Sequence, residues 1–320
     1  MLRIRASVVA LLLSLGMQGA GACGTKQSEP KQNENQSQNS NAIVKPTPGR
    51  VEEPVSGEIK VLAEGMYGKI TAAFVAVARD AETYAAVREL VGNLPPLSAD
   101  FFKQNLVVAA FLGQRNTGGY GVQLTRAADN RLRVASMSPP KGSMTTQALT
   151  APFKIVSAAL DETHPLSVEI DPSWNSEMRP YRVTSGEFTT GGGFAGRFEK
   201  LQLSGDIRVS RLGRLATFAF DLKGIGSAKA RLLQDAATGT VGANGQLGGG
   251  VVDAGSLVDF PRSALGLKGS LTANEDRLSL SFESLPSNVS DGYGGQGRLE
   301  ASATAPPLPK KPASDDDAPM

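Results

Sequence analysis

Seven consecutive apolar residues, Leu106–Leu112 (LVVAAFL), bound what this chain can fold into. The run is too short for a bilayer-spanning helix and has no polar alternation, so a strand with one wet face does not fit it. A strand covered on both faces does, and that demands a layered body with a sheet at its centre. Gly113 closes the run. Tyr120, Val122 and Leu124 then alternate with polar neighbours, as do Leu132, Val134 and Ser136. With a turn at Ala127–Asn130, the spacing predicts a hairpin. Upstream, Glu58–Ala63 and Ala72–Ala78 read as strands. Asp80 is placed to cap a helix with Glu82 in its first turn and Tyr84, Val87, Leu90 and Val91 on one face. Gly92 ends that helix and Pro95-Pro96 blocks its continuation. Pro152–Ala159 and Leu166–Ile170 are further strands. Residues 57–170 are therefore expected to form an α+β domain, an antiparallel sheet with one packed helix.

The texture changes over residues 181–305. Of the 36 glycines, 22 fall between 186 and 300. Ala216, Phe218, Phe220 and Leu222 share one face at period two, as do Leu278, Leu280 and Phe282, and Leu299, Ala301 and Ala303. Glycine turns between short alternating strands predict a mostly β, Gly-rich second domain. Gly205 suggests a hairpin between Phe198–Leu203 and Asp206–Arg211. One short helix is expected from Ser227, carrying Leu232, Leu233 and Ala236 and stopping near Gly239.

The first residues read as an address. Arg3 and Arg5 precede a ten-residue apolar stretch, Ala6–Leu15, and small residues lead to Ala20-Gly21-Ala22-Cys23. This is the layout of a secretory signal over residues 1–22. The last four residues resemble a bacterial lipobox, although Ala20 stands where Leu or Val is usual. Cys23 would then become the lipid-bearing N-terminus. The same residues also satisfy an A-x-A site for ordinary signal peptidase, which would leave a free thiol. The position of the only Cys, directly after the signal, favours lipid attachment, each buried methylene contributing ~0.8 kcal/mol to anchoring. The expected location is the bacterial cell envelope, exported and lipid-anchored, with the outer membrane as the membrane. Residues 23–50 are rich in Gln, Asn, Ser and Pro and predict a disordered tether of roughly 30 Å span. Residues 306–320 predict a disordered tail.

Charge and composition exclude several function classes. The chain has 33 Lys+Arg against 31 Asp+Glu. Arg3 and Arg5 are the only charges in residues 1–22, so removing the signal leaves 31 of each sign. A neutral body offers no electrostatic case for nucleic acid. One Cys and one His allow neither an intramolecular disulfide nor a Cys/His zinc site. Any catalytic triad would need His164, beside Pro165. Glu52-Glu53 and Asp161-Glu162 read as solvated charge. Trp174 and Tyr181 are candidates for sugar stacking or, more simply, for core. Gly292–Gly297 matches G-x-G-x-x-G but leads into a strand, and Gly191–Arg197 (GGGFAGR) lacks the Lys-Ser/Thr of a phosphate loop. No cofactor or metal is expected.

The most informative segment is the loop Gly113-Gln114-Arg115-Asn116-Thr117-Gly118-Gly119-Tyr120. Adjacent glycines permit positive φ and leave peptide groups accessible. Read alone, the loop is either a turn followed by a core tyrosine or a surface offered to a partner through Gln114, Arg115, Asn116, Thr117, Gly118, Gly119 and Tyr120. The run Leu106–Tyr120 resembles the signature of the PrcB C-terminal domain family. Asp100-Phe101-Phe102 is similar to that family's lead-in, and Thr146-Gln147-Ala148-Leu149 with Pro152-Phe153 is similar to its Thr-rich segment. The likeness covers about residues 58–160. The family is named for a lipoprotein subunit of a bacterial surface protease complex. The resemblance implies a non-catalytic, envelope-anchored protein that binds or stabilises a protein partner such as a secreted protease. Two alternatives stand beside it. One is a protease inhibitor acting through residues 181–305, since GGGFAG resembles a turn of emfourin-like inhibitors. The other is a glycan- or peptidoglycan-binding module.

Overall fold

The structure is a computed structural model that describes residues 59–304 other than 162–163, 165, 192–197, 228, 259–262, 273 and 286–293. The signal, Cys23, the tether, the tail, Glu52-Glu53, most of Gly191–Arg197 and the first two residues of Gly292–Gly297 lie outside the described residues. The protein is mostly β, with few helices.

The unbroken apolar run is the centre of the first sheet. Strands β1 (Ile59–Gly65), β2 (Ala73–Ala78), β3 (Asn105–Leu112) and β6 (Phe153–Ala159) lie in the order β1-β6-β3-β2, all antiparallel. Every residue of β3 is buried. One face of the sheet is covered by α1 (Ala81–Val91) and the short α2 (Phe101–Gln104), whose Tyr84, Val87, Phe101 and Phe102 pack with Phe74, Ala109, Phe111 and Ile155. The capping is as the residues predict. The Asp80 carboxylate accepts from Thr83 N at 2.7 Å, and Gly92, at φ 91°, donates its N–H to Arg88 O.

The opposite face is covered by a second small sheet rather than by solvent. The predicted hairpin, β4 (Gly121–Arg126) and β5 (Arg131–Met137), joins β7 (Ser167–Ile170) in the order β4-β5-β7, with β5 and β7 parallel. The expectation of one antiparallel sheet is corrected accordingly. The chain reaches β7 only after crossing through β6 in the other sheet, a return that permits parallel pairing. Val122, Leu124, Leu132 and Val134 bury against Leu106, Val108, Ala110 and Leu112, which explains why β3 needs no polar face.

After a 3-10 helix (Pro172–Glu177), eight strands among the described residues close a barrel. They are β8 (Arg179–Gly191), β9 (Glu199–Leu212), β10 (Leu215–Ile225), β11 (Ala230–Val241), β12 (Gln246–Gly248), β14 (Ala264–Leu271), β15 (Arg277–Ser284) and β16 (Gly294–Ala303), with β16 pairing back onto β8. The short β13 (Val251–Asp253) pairs with the start of β14, and α3 (Gly255–Val258) follows it.

Two local expectations fail here. The helix from Ser227 is instead β11, in register with β10 from Leu215↔Thr240 to Ile225↔Ala230. Barrel closure requires a long strand at that position, and tertiary pairing overrides local propensity. The proposed 198–211 hairpin is one continuous strand, β9. Gly205 (φ 128°) does not turn the chain; a Cβ there would collide with the Asp221 carbonyl of β10, so it marks close strand approach.

The barrel is filled with apolar side chains. Tyr181, Phe188, Leu201, Phe218, Phe220 and Phe282 belong to one buried cluster with Leu278, Leu280, Leu299 and Ala301. Eight strands enclose an interior that side chains can fill. The outer wall is polar, with the pairs Arg182–Asp206, Lys200–Glu187 and Lys268–Glu283, and Ser279 bonded to Glu300. A membrane-spanning barrel has the opposite arrangement, an apolar outer band around a polar lumen.

Barrel and sheets are joined along one seam. β12 pairs with β11 only at Thr240 and Val241. Further along β11, and at Thr217 beside it on β10, the first two sheets supply the partners. Val77 N donates to Thr238 Oγ1 at 2.7 Å, Thr217 Oγ1 donates to Val75 O at 2.6 Å, and Val168 N donates to Asp235 Oδ1 at 2.8 Å.

Candidate functional site

The loop after β3 is held as rigidly as a strand. Gly113 sits at φ 73°, where a Cβ would lie 2.7 Å from Ala73 N and 2.8 Å from Thr71 O, so both conformation and space require glycine. Gln114 N donates to Thr71 O at 2.9 Å. Arg115 and Thr150 exchange both backbone bonds, at 2.7 and 2.9 Å. Gly118 N reaches Thr146 O at 2.9 Å, and Thr150 Oγ1 donates to Thr117 O at 3.1 Å. The segment 146–151 is thus clamped along the loop.

Its other side is clamped as well. Ala151 N donates to Met66 O and Gly68 N to Ala151 O, both at 2.8 Å, with Tyr67 and Ala151 forming a parallel bridge. Three chain segments, around Tyr67, Thr150 and Arg115, therefore lie side by side at one end of the first sheet. Gly65 and Gly68 rest over the Phe153 ring, which stacks on Phe111 in the core.

The predicted partner-facing residues separate on this frame. Gln114, Asn116 and Gly119 are exposed; Arg115, Thr117 and Tyr120 are half-buried; Gly118 is buried. The glycine pair does not leave the backbone bare throughout. Gly118 admits the 146–150 segment, since a Cβ would collide with Thr146 Oγ1, and Gly119 turns the chain at φ 85°. The Arg115 guanidinium lies over the Tyr120 ring, 5.6 Å from its centroid.

Two neighbours escaped the sequence reading. Tyr67 is 73% exposed and Leu149 is 61% exposed, although both are large and apolar. Met144, in the same stretch as Thr146, is fully exposed. Periodicity had no bearing on them because they lie in irregular segments. Leu149 was visible only as part of the Thr-rich run.

Residues 106–158 match the PrcB C-terminal family model. The match confirms the resemblance carried by the Leu106–Tyr120 run. It spans β3 to β6 and so includes both the loop and the 146–151 segment clamped to it. No curated protein matches the chain.

The other candidates fall elsewhere. Trp174 and Tyr181 are both buried, so neither offers a stacking face to a sugar. Burial pushes the Tyr181 phenol up to about 12, and its hydroxyl donates to Glu275 O at 2.6 Å. His164 is exposed, with Nδ1 3.7 Å from the Asp161 carboxylate. Among the described residues, no three His, Cys, Asp or Glu side chains group as metal ligands, and no helix is long and apolar enough to cross a membrane.

Proposed function

We propose that this protein is a non-enzymatic, envelope-anchored lipoprotein that binds or stabilises a protein partner, a secreted protease being the class tested first. The observation that carries the reading is the exposure of Leu149, on the segment hydrogen-bonded to the PrcB-like loop, and of Tyr67, on the segment bridged to Ala151. Large apolar side chains held at the surface by a rigid scaffold, with Gln114 and Asn116 beside them, have the composition of a contact surface. The family match supports the choice of partner class. Cys23 supplies the lipid anchor, and the folded body supplies the contact.

A photo-reactive residue placed at Leu149 in the full chain, expressed in its native envelope, tests this. It should cross-link to a secreted protease, and the same residue at Glu300 on the barrel wall should not. Equal labelling from both positions, or none from Leu149, would remove the proposal.

A further inference from the structure

Among the described residues, four arginines bury Nε without a hydrogen bond to that atom: Arg79, Arg115, Arg179 and Arg231. In three of them the terminal nitrogens reach oxygens. Arg79 meets Asp235, Ala236 O and Leu166 O; Arg179 meets Asn274 O; Arg231 meets Glu199 and Leu257 O. Arg115 differs. Among the described residues its guanidinium has no oxygen acceptor, only the face of Tyr120.

A half-buried cation has lost part of its hydration, and here no anion compensates it. The planar guanidinium fork matches a carboxylate through two parallel hydrogen bonds, and stacking on Tyr120 restricts its orientation before any ligand arrives. The same loop carries further donors. The backbone N–H groups of Asn116, Thr117 and Gly119 meet no acceptor among the described residues.

We propose that Arg115 is a carboxylate receptor, taking an Asp or Glu side chain from an extended segment of the partner. This rests on the protein-binding reading and names the chemistry recognised at that surface. A single fork suits one carboxylate in a peptide. A polyanion would require a field of cations, and the body carries equal numbers of both signs beyond the signal.

The probes are acetyl-Leu-Glu-Leu-amide, its Gln counterpart and inorganic phosphate, each titrated into the full chain while backbone amide resonances are followed. The Glu peptide should shift the amides of Asn116, Thr117 and Gly119 and bind about tenfold more tightly than the Gln peptide. Arg115→Gln should abolish that preference, and Arg115→Lys, which keeps the charge without the fork, should retain only part of it. Equal binding of the two peptides, or a preference that survives in Arg115→Gln, overturns the proposal. Phosphate that binds as tightly as the Glu peptide and displaces it overturns the peptide as the source. Because these readouts use purified protein, their failure with an intact Leu149 cross-link would sink the carboxylate inference alone. Loss of the cross-link with the Glu preference intact would sink the protease partner alone.

Discussion

Arg79, at the end of β2, donates to the Asp235 carboxylate of β11 at 2.9 Å, with both side chains almost wholly buried. They are separated by 156 residues and join the sheets to the barrel. Asp235 also accepts from Val168 N and Asp253 N, while Arg79 reaches Ala236 O and Leu166 O. A single buried ion pair thus collects backbone groups from β7, β11 and β13 and from the residue preceding β7.

Arg79→Met leaves the Asp235 carboxylate buried without its cation and strips two carbonyls of their donor. The expected loss is about 3–5 kcal/mol in denaturant unfolding. Replacing both residues together, as Arg79→Met with Asp235→Leu, should cost less than Arg79→Met alone, because no uncompensated charge remains.

The pair also sets a pH dependence with a defined sign. Burial pushes the Asp235 carboxyl up to about 6, against the opposing pull of Arg79 and the two backbone donors. The folded protein therefore takes up this proton before the unfolded chain does. The stability contributed by the group is fully present below the ordinary carboxyl value of about 4 and is lost as pH rises through 6. In Arg79→Met the carboxyl rises further, so the variant's deficit against the natural protein should be smaller at pH 5 than at pH 8. Chemical denaturation of both proteins at the two values reads this directly, and a deficit that grows on acidification would contradict it.

At the loop, two glycines should respond differently to the same change. Gly113→Ala forces a side chain into the backbone of residues 71–73 at positive φ and should cost about 1–3 kcal/mol. Gly118→Ala meets only the Thr146 side chain, which can rotate away toward solvent, and should cost well under that. Thermal unfolding of the two variants separates them.

Tyr67→Ser and Leu149→Ser remove exposed groups and should leave stability within about 0.5 kcal/mol. Capture of the partner should nevertheless fall. Variants that lost stability and capture together would show these residues to be structural.

Much of the first sheet was legible because its signals are local. Asp80 and Gly92 cap the helix they predict, and the unbroken run at 106–112 becomes the doubly covered strand. Period two also placed Leu278, Leu280 and Phe282 inside the barrel. What the sequence concealed depends on distant pairing. Leu232, Leu233 and Ala236 mimic a helix face, but β10 lies beside them and imposes a strand. Gly205 looks like a turn until Asp221 is brought against it. The candidate surface was half legible: the glycine loop announced itself, whereas Tyr67 reaches it only through a bridge to Ala151, 84 positions away in the numbering.

The short pairing of β12 has a practical meaning for anyone dividing this protein. Expressed without residues 59–170, the barrel would display the β11 edge around Asp235–Thr238 to water, with the Asp235 carboxylate and Thr238 hydroxyl stripped of the Val168 and Val77 N–H groups that now occupy them. An uncovered strand edge recruits other strands. The second half is therefore expected to self-associate when cut free, and the two halves are poor candidates for exchange as independent building blocks.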